Sequence, residues 1–488
     1  IADTLDHYIA NIIDEENYEK IKFLVAHAKI FLSHDNLLSD SIKGSIRSEL
    51  GILYYYLGYY EESKEMLGNS LIKLKKYDAE NYTRIAQALG FLGSINRDLG
   101  HHEKARELLE QSLEIYKKHL PKNYAGIART LTYLGNAHRS LDHCEKAKEL
   151  LEQSLEIYKK HLPKNYVGIV NTLNYLSNAY RYLGEYEKAK ETLEKSIIIY
   201  KTKLPENHIG RAWTLAYLGN VYKELGNYQK AKSLLEESLL LYKKNSSGNY
   251  IYEAWALTFL GNTYGEMGEY EKAKGMLEKS ITIYRTHLPE NHVGISWVLA
   301  YLGNIYRKLG NYQKAKSLLE ESLALYKREN FSDDHIYIVW ASTYLGNVYK
   351  ALGDYQKTKD LLERNLNIYK SRYGKDHIET ARVIRDLGQT YFLEGHPEAG
   401  ENYLQEALDI FQKKNHPDAY TVLENLSEIY LKKSMLEMNK RAGQQSENFK
   451  KKATIYLIQA LEIIKSNFPE DSPHKTRIQA KLKNIEKM

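Results

Sequence analysis

Tyr217-Leu218-Gly219-Asn220 returns as Phe259-Leu260-Gly261-Asn262 and again as Tyr301-Leu302-Gly303-Asn304. A period of this kind decides the architecture before any domain is counted. The glycine steps through Gly51, Gly93, Gly135, Gly219, Gly261, Gly303, Gly346 and Gly388, with Ser177 in one unit. The spacing is 42 throughout, except 43 between Gly303 and Gly346. Nine residues further on stands Tyr60, Tyr186, Tyr228, Tyr270, Tyr312 or Tyr355, with His102, Cys144 and Pro397 in three units and Tyr18 in the first. Pro121, Pro163, Pro205 and Pro289 fill one linker slot, and residues 103–124 and 145–166 differ only at Arg106 and Lys148. A chain of 488 residues would otherwise suggest roughly three domains of about 150 residues. The repeat makes it one array.

Each unit reads as two helices. Leu215, Leu218, Tyr222 and Leu225 recur at helical spacing over 212–225, and Gly226-Asn227 makes the turn. Ala231, Leu235, Leu239 and Leu240 do the same over 228–243. A Leu-Pro linker then breaks that helix, because proline lacks the donor and restricts the residue before it. Gly219 and Ala231 are small where the two helices must approach. Neither helix buries its apolar stripe alone, so each unit packs on its sequence neighbours without a shared core. Tyr116, Tyr158, Tyr200, Tyr242, Tyr284 and Tyr326 end the second helices and are expected to pack between units, which accounts for much of the richness in Tyr.

The pattern Leu-Gly-x-x-Tyr, Gly-x-Tyr-x-x-Ala and Leu-x-x-Ser-Leu resembles the tetratricopeptide repeat, over about residues 1–430. The 42-residue version is similar to kinesin light chains, Pins-type adaptors and bacterial arrays. Ser238 and its equivalents stand where the family often has Ala, and Ser177, His102, Cys144 and Pro397 also depart from its pattern. The resemblance implies an all-α, right-handed superhelical solenoid of antiparallel helix pairs. It implies about ten pairs over 1–430, the first and last degenerate, then a divergent repeat and capping helix over 431–488. It also implies a scaffold whose concave face binds an extended peptide.

The ends are weaker. Ile1–Glu16 reads as the remnant of a first helix, paired with a second at Tyr18–Leu32. The polar insert Asn439–Asn448 reads as loop, Ala453–Ser466 as a second helix and Lys475–Met488 as a solvated cap. Asn245–Asn249 replaces the Leu-Pro linker in one unit and reads as its most mobile link.

With the recurring glycine as position 8, the core residues of a first helix fall on one side and positions 2, 6, 9 and 13 on the other. All four tryptophans, Trp213, Trp255, Trp297 and Trp340, occupy position 2 of consecutive units. Position 9 is Asn136, Asn178, Asn220, Asn262, Asn304 and Asn347. Position 12, beside the stripe, is basic at Arg97, Arg139, Arg181, Lys223, Arg307 and Lys350, interrupted by Gly265. Position 6 is aromatic, from Phe91 to Tyr344. An Asn amide can pair with a peptide backbone without reading its side chains. Trp and Tyr supply rigid contact area, and Arg and Lys favour carboxylates. The expected ligand is an extended, acidic peptide of a partner protein, held by the Trp and Asn sets with Arg139, Arg181, Lys223, Arg307 and Lys350. Recent duplication or bracing between first helices would preserve the same residues without a ligand. Against simple copying, position 2 varies to Gln87, Arg129, Asn171 and Arg382 outside the Trp units.

Other classes find less support. No phosphate loop, dinucleotide fingerprint or serine elbow is present, so no enzyme activity, cofactor or metal is expected. His138, His143 and Cys144 lack a second Cys for a zinc set. A net charge of +6 and Glu-rich second helices argue against single-stranded nucleic acid, which stacked aromatics would otherwise suit. No apolar run reaches the length of a membrane span. One cysteine fits a reducing, cytoplasmic setting, or a host cytosol if the chain is a bacterial effector. The opening Ile1-Ala2-Asp3 without an initiator Met keeps open a sensor arm of a larger ATPase or protease.

Overall fold

The computed structural model describes residues 18–33, 39–77, 81–205, 208–245, 250–288, 292–328, 331–439 and 443–487. The expected first helix at Ile1–Glu16, the linker 246–249 and Pro289 lie outside the described residues. Everything regular among the described residues is α-helix. A lone helix, α1 (Tyr18–Ser33), precedes the pairs α2 (Asp40–Tyr56) and α3 (Tyr60–Tyr77), α4 (Tyr82–Asp98) and α5 (His102–His119), and α6 (Tyr124–Ser140) and α7 (Cys144–His161). Next come α8 (Tyr166–Tyr182) and α9 (Tyr186–Lys203), α10 (Ile209–Glu224) and α11 (Tyr228–Asn245), and α12 (Tyr250–Glu266) and α13 (Tyr270–His287). The array continues with α14 (Val293–Lys308) and α15 (Tyr312–Arg328), α16 (Ile336–Ala351) and α17 (Tyr355–Tyr373), and α18 (Ile378–Glu394) and α19 (Pro397–Lys413). It closes with α20 (Ala419–Asn439), α21 (Gly443–Asn467) and α22 (Pro473–Lys487).

The turn within a pair needs one residue at positive φ. Gly184 supplies it at 76°, and Asp142 does the same at 67° without being glycine. After α4, His101 N–H donates to Asn96 O at 2.7 Å and Gly100 N–H to Arg97 O at 3.0 Å, which satisfies carbonyls the helix leaves open. The small position 8 is a close approach: a Cβ on Gly219 would lie 2.7 Å from Leu235 Cγ and 3.1 Å from Ala231 O. The terminal tyrosines pack between units, as expected. Tyr116, Tyr158 and Tyr200 are nearly fully buried beneath Gly126, Gly168 and Gly210 of the following first helix.

Ser in place of the usual Ala now has a physical account. The hydroxyls of Ser112, Ser154, Ser238 and Ser322 are buried and donate at 2.7 Å to the carbonyls of Ala86, Ala128, Ala212 and Ser296 in their partner first helices. A buried hydroxyl that is satisfied costs little.

The polar insert is a correction. Asn439 ends α20 and residues 443–448 open α21, so these are helix rather than loop, while 440–442 lie outside the described residues. Ser434 and Ser446 face each other at 2.9 Å, and each hydroxyl also donates to the other's carbonyl, so polar side chains are satisfied inside this hairpin.

The chain divides into two compact units. The first holds residues 1–218, 236–256 and 283–292, the second 219–235, 257–282 and 293–488. Neighbour-only packing, expected from the repeat, fails inside each. In the first, His292 Nε2 donates to the carbonyl of Asp98 at 2.8 Å, across 194 residues. In the second, Tyr228 donates to Asp418 at 3.0 Å across 190 residues, and Phe468 lies 5.2 Å from the Tyr228 ring. His416 and His474 donate to the carbonyls of Glu224 (3.2 Å) and Glu266 (2.9 Å), 192 and 208 residues away. Within each unit the coil therefore returns on itself after four to five repeats.

Candidate functional site

The position-9 asparagines are largely buried, and their first partner is the basic residue one turn on, as neighbours at i and i+3 allow. In the first unit, Asn136 Oδ1 accepts from Arg139 Nε at 2.9 Å, and Asn178 Oδ1 from Arg181 Nε at 3.1 Å. In the second, Asn304 Oδ1 accepts from Arg307 Nε at 3.1 Å and Nη2 at 2.8 Å. The amide oxygen thus aims the guanidinium. Asn347 differs: its Nδ2 donates at 2.6 Å to Asp386 of the next first helix, and its buried Oδ1 has no partner. Asn220 and Asn262 are buried as well. At the interruption, a Cβ on Gly265 would lie 2.7 Å from Ile305 Cδ1, so a side chain there would displace the end of that isoleucine.

The tryptophans interleave with the position-6 aromatics. Trp213 is buried edge-on to Tyr175 (5.0 Å) and Tyr217 (5.3 Å). Trp255 is half-buried between Tyr217 (5.9 Å) and Tyr252 (5.5 Å). Trp297, half-buried against Phe259 (5.3 Å) and Tyr301 (5.6 Å), keeps its indole N–H without a partner. Trp340 is half-buried near Tyr337, at 6.1 Å. Trp213 also lines a small cavity of about 90 Å³ in the first unit, among Tyr55, Tyr60, Tyr133 and Tyr252.

A cavity of about 390 Å³ opens in the second unit. It gathers Lys223, Asn262, Asn304, Arg307, Trp340, Asn347 and Lys350 from the expected set. Trp255, Trp297, Asn136, Asn178, Asn220, Arg139 and Arg181 do not line it. Seven cationic side chains and seven carboxylates do. At one part of the wall acids gather round Arg382, which lies 2.6 Å from Glu379, 2.8 Å from Asp418 and 3.6 Å from Glu224. Lys223 pairs with Glu224 at 2.7 Å. Burial pushes the Glu379 carboxyl up.

Another part of the wall gathers cations. Arg307, Lys308, Lys350 and Arg385 line it, with Asp386 near all four and Glu266 facing Lys308. Arg385 lies 2.9 Å from Asp386, and Lys350 Nζ lies 3.9 Å from it while donating to Gln389 at 2.8 Å. Asp386 is held well below the usual carboxylate range by Arg385, Lys350 and the Asn347 amide, against its burial. Lys308 is an exposed residue that lines the cavity, and desolvation by the surrounding protein, then Arg307, pulls its ammonium down to about 7. Lys350 is brought down to about 8 by burial, then Arg307 and Arg385. Lys308 and Arg385 were missed in the sequence, although position 13 visibly changes from Glu224 and Glu266 to Lys308.

The family model of the tetratricopeptide repeat matches residues 44–118, 168–244, 216–286, 293–357 and 337–413, and a second model of the same repeat matches 127–165. The chain belongs to the tetratricopeptide repeat family, whose arrays are protein-interaction scaffolds. No curated protein matches it. Among solved structures it is similar to a Rap protein complexed with Competence and Sporulation Factor, at 15% identity and a TM-score of 0.52, over 78% of this chain and 99% of that one. A kinesin light chain of Podospora anserina with nearly identical TPR-like repeats shares 23% identity over 43% of this chain and 98% of its own, with a TM-score of 0.33. BtubC (BKLC) from P. vanneervenii shares 19% over 49% and 92%, with a TM-score of 0.36. No described helix is long and apolar enough to cross a membrane.

Proposed function

We propose that the chain is a protein-interaction scaffold whose second unit receives an extended, acidic segment of a partner protein in the 390 Å³ cavity. The observation that carries this reading is the cluster of Arg307, Lys308, Lys350 and Arg385 on one part of that cavity's wall, against Asp386 and Glu266 there. The unpartnered Asn347 Oδ1 suits a backbone N–H of the same segment, and Trp340 offers apolar contact beside it. In the first unit the Asn136–Arg139 and Asn178–Arg181 pairs, with Trp213 and Trp255, present the same chemistry. That a Rap protein of similar fold was solved with a bound factor supports a ligand-holding role for such an array. The test is pull-down with the full chain, comparing Trp340→Ala and the double variant Asn262→Ala with Asn304→Ala against Glu320→Ala on an exposed second-helix position. Retention of the partner by the cavity variants together with its loss from Glu320→Ala overturns the reading.

A further inference from the structure

We propose that the cavity of the second unit prefers a phosphorylated side chain on its peptide, with Lys308, Arg307 and Lys350 as the groups that read the doubly charged phosphoryl. This rests on the peptide reading above and narrows it. The charge count comes first. Arg307, Lys308, Lys350 and Arg385 face one cavity with two near carboxylates, Asp386 and the Glu266 that faces Lys308, and Asp386 already accepts from Arg385 and Asn347. A single carboxylate brought by a ligand leaves part of this positive surplus unmatched, whereas a phosphoryl group adds about two negative charges and three acceptor oxygens.

Donor geometry agrees. Lys308 makes no hydrogen bond or ion pair among the described residues, so its three N–H groups can reach an incoming oxyanion. Arg307 gives Nε and Nη2 to Asn304 and keeps its Nη1 edge, and Lys350 uses one N–H on Gln389. A guanidinium edge beside two ammonium groups suits a tetrahedral oxyanion. The electrostatics couple binding to protons. Lys308 is faced by Arg307 on its own helix, Glu266 from α12, Arg385 and Asp386 from α18 and His474 from α22, and its ammonium sits near 7. A dianion beside it raises that value, so binding draws a proton onto Lys308 and weakens as pH rises above neutrality.

The experiment uses the full chain and three oriented peptide libraries with phosphoserine, glutamate or serine at a fixed centre, read by fluorescence anisotropy, with inorganic phosphate as competitor. The phosphoserine library should bind at least tenfold tighter than the glutamate library, and peptide should displace far better than inorganic phosphate. Its affinity should fall several-fold between pH 7 and pH 9, where phosphoserine itself stays dianionic. Lys308→Met should lose about tenfold without a change in melting, and Lys308→Arg should keep the affinity while reducing the pH slope to the part that Lys350 supplies. Equal binding of the glutamate and phosphoserine libraries overturns this inference and leaves the acidic-peptide reading standing. Inorganic phosphate binding as tightly as peptide assigns the site to a free anion and overturns it. Failure of all three libraries removes both readings.

Discussion

The imidazole of His416 joins two helix ends that lie 192 residues apart: Nε2–H donates to the carbonyl of Glu224, the last residue of α10, and Nδ1 accepts the Asp418 N–H at 3.2 Å at the entry to α20. Only the neutral ring can do both. His474 repeats the arrangement, with Nε2–H on Glu266 O and Nδ1 accepting from Arg477 at 3.2 Å. His292 makes the matching bond to Asp98 O in the first unit. These rings satisfy terminal carbonyls, and protonation would place a hydrogen where a donor already points.

Stability should therefore fall as pH drops from about 6.5 towards 4. Burial takes His292 and His474 down to about 4 and lowers His416 as well. An unfolded histidine titrates near 6.5, so between those values the unfolded chain binds protons the folded chain does not. The contribution is complete above about pH 6.5 and is lost through that window, on the order of 3 kcal/mol for each fully shifted ring. Thermal melts across pH 4–8 check it, and His474→Gln should flatten the slope.

Removing Asp418 should damage the second unit far more than removing the hydroxyl that bonds it. Asp418→Ala leaves Arg382 short of a buried partner, at a cost of roughly 3–5 kcal/mol. Tyr228→Phe removes one hydrogen bond and should cost about 1 kcal/mol. Urea denaturation of both variants separates them; equal losses would mean the carboxylate is not the organising group.

Gly126→Ala should be destabilising although alanine is the better helix former. The added methyl would lie 2.4 Å from the Tyr116 ring, so the ring must leave its place between the repeats. A cost of about 1–3 kcal/mol is expected, with faster hydrogen exchange in α5 and α6 before other segments. Gly275→Ala, where nothing stands within 4 Å, is the control and should be neutral or stabilising.

For the partner, Trp340→Ala should cost about 2 kcal/mol or more, chiefly as faster dissociation. Arg307→Gln removes a steering charge as well as a contact, so it should slow association and flatten the salt dependence. Surface plasmon resonance at two ionic strengths distinguishes the two signatures.

The helix pairs, the Gly219–Leu235 approach and the place of Tyr116 were legible because each depends on residues less than one repeat apart, where periodicity speaks directly. The contacts of His416, His474 and Tyr228 were not. They depend on the pitch accumulated over four to five units, and no local spacing encodes it. The candidate site was legible in its Asn and Trp register but not in its charge. Lys308, Arg382 and Arg385 break the repeat pattern, and what they do depends on carboxylates that come from other units. The polar insert misled for the opposite reason: Ser446 looks like a loop former until the hairpin pairs it with Ser434.

Arrays held only by adjacent contacts can gain or lose modules freely during evolution, and the near-identity of 103–124 and 145–166 records such copying here. The bonds from His416 to Glu224 and from His474 to Glu266 impose a counting rule on that history. Deleting one module between the partners would slide every later histidine past its carbonyl by a whole module, and inserting one would do the same in reverse. Module number in this chain is thus tied to closure of the coil. Shuffled versions lacking one internal module should express as helical proteins that have lost these long-range seams.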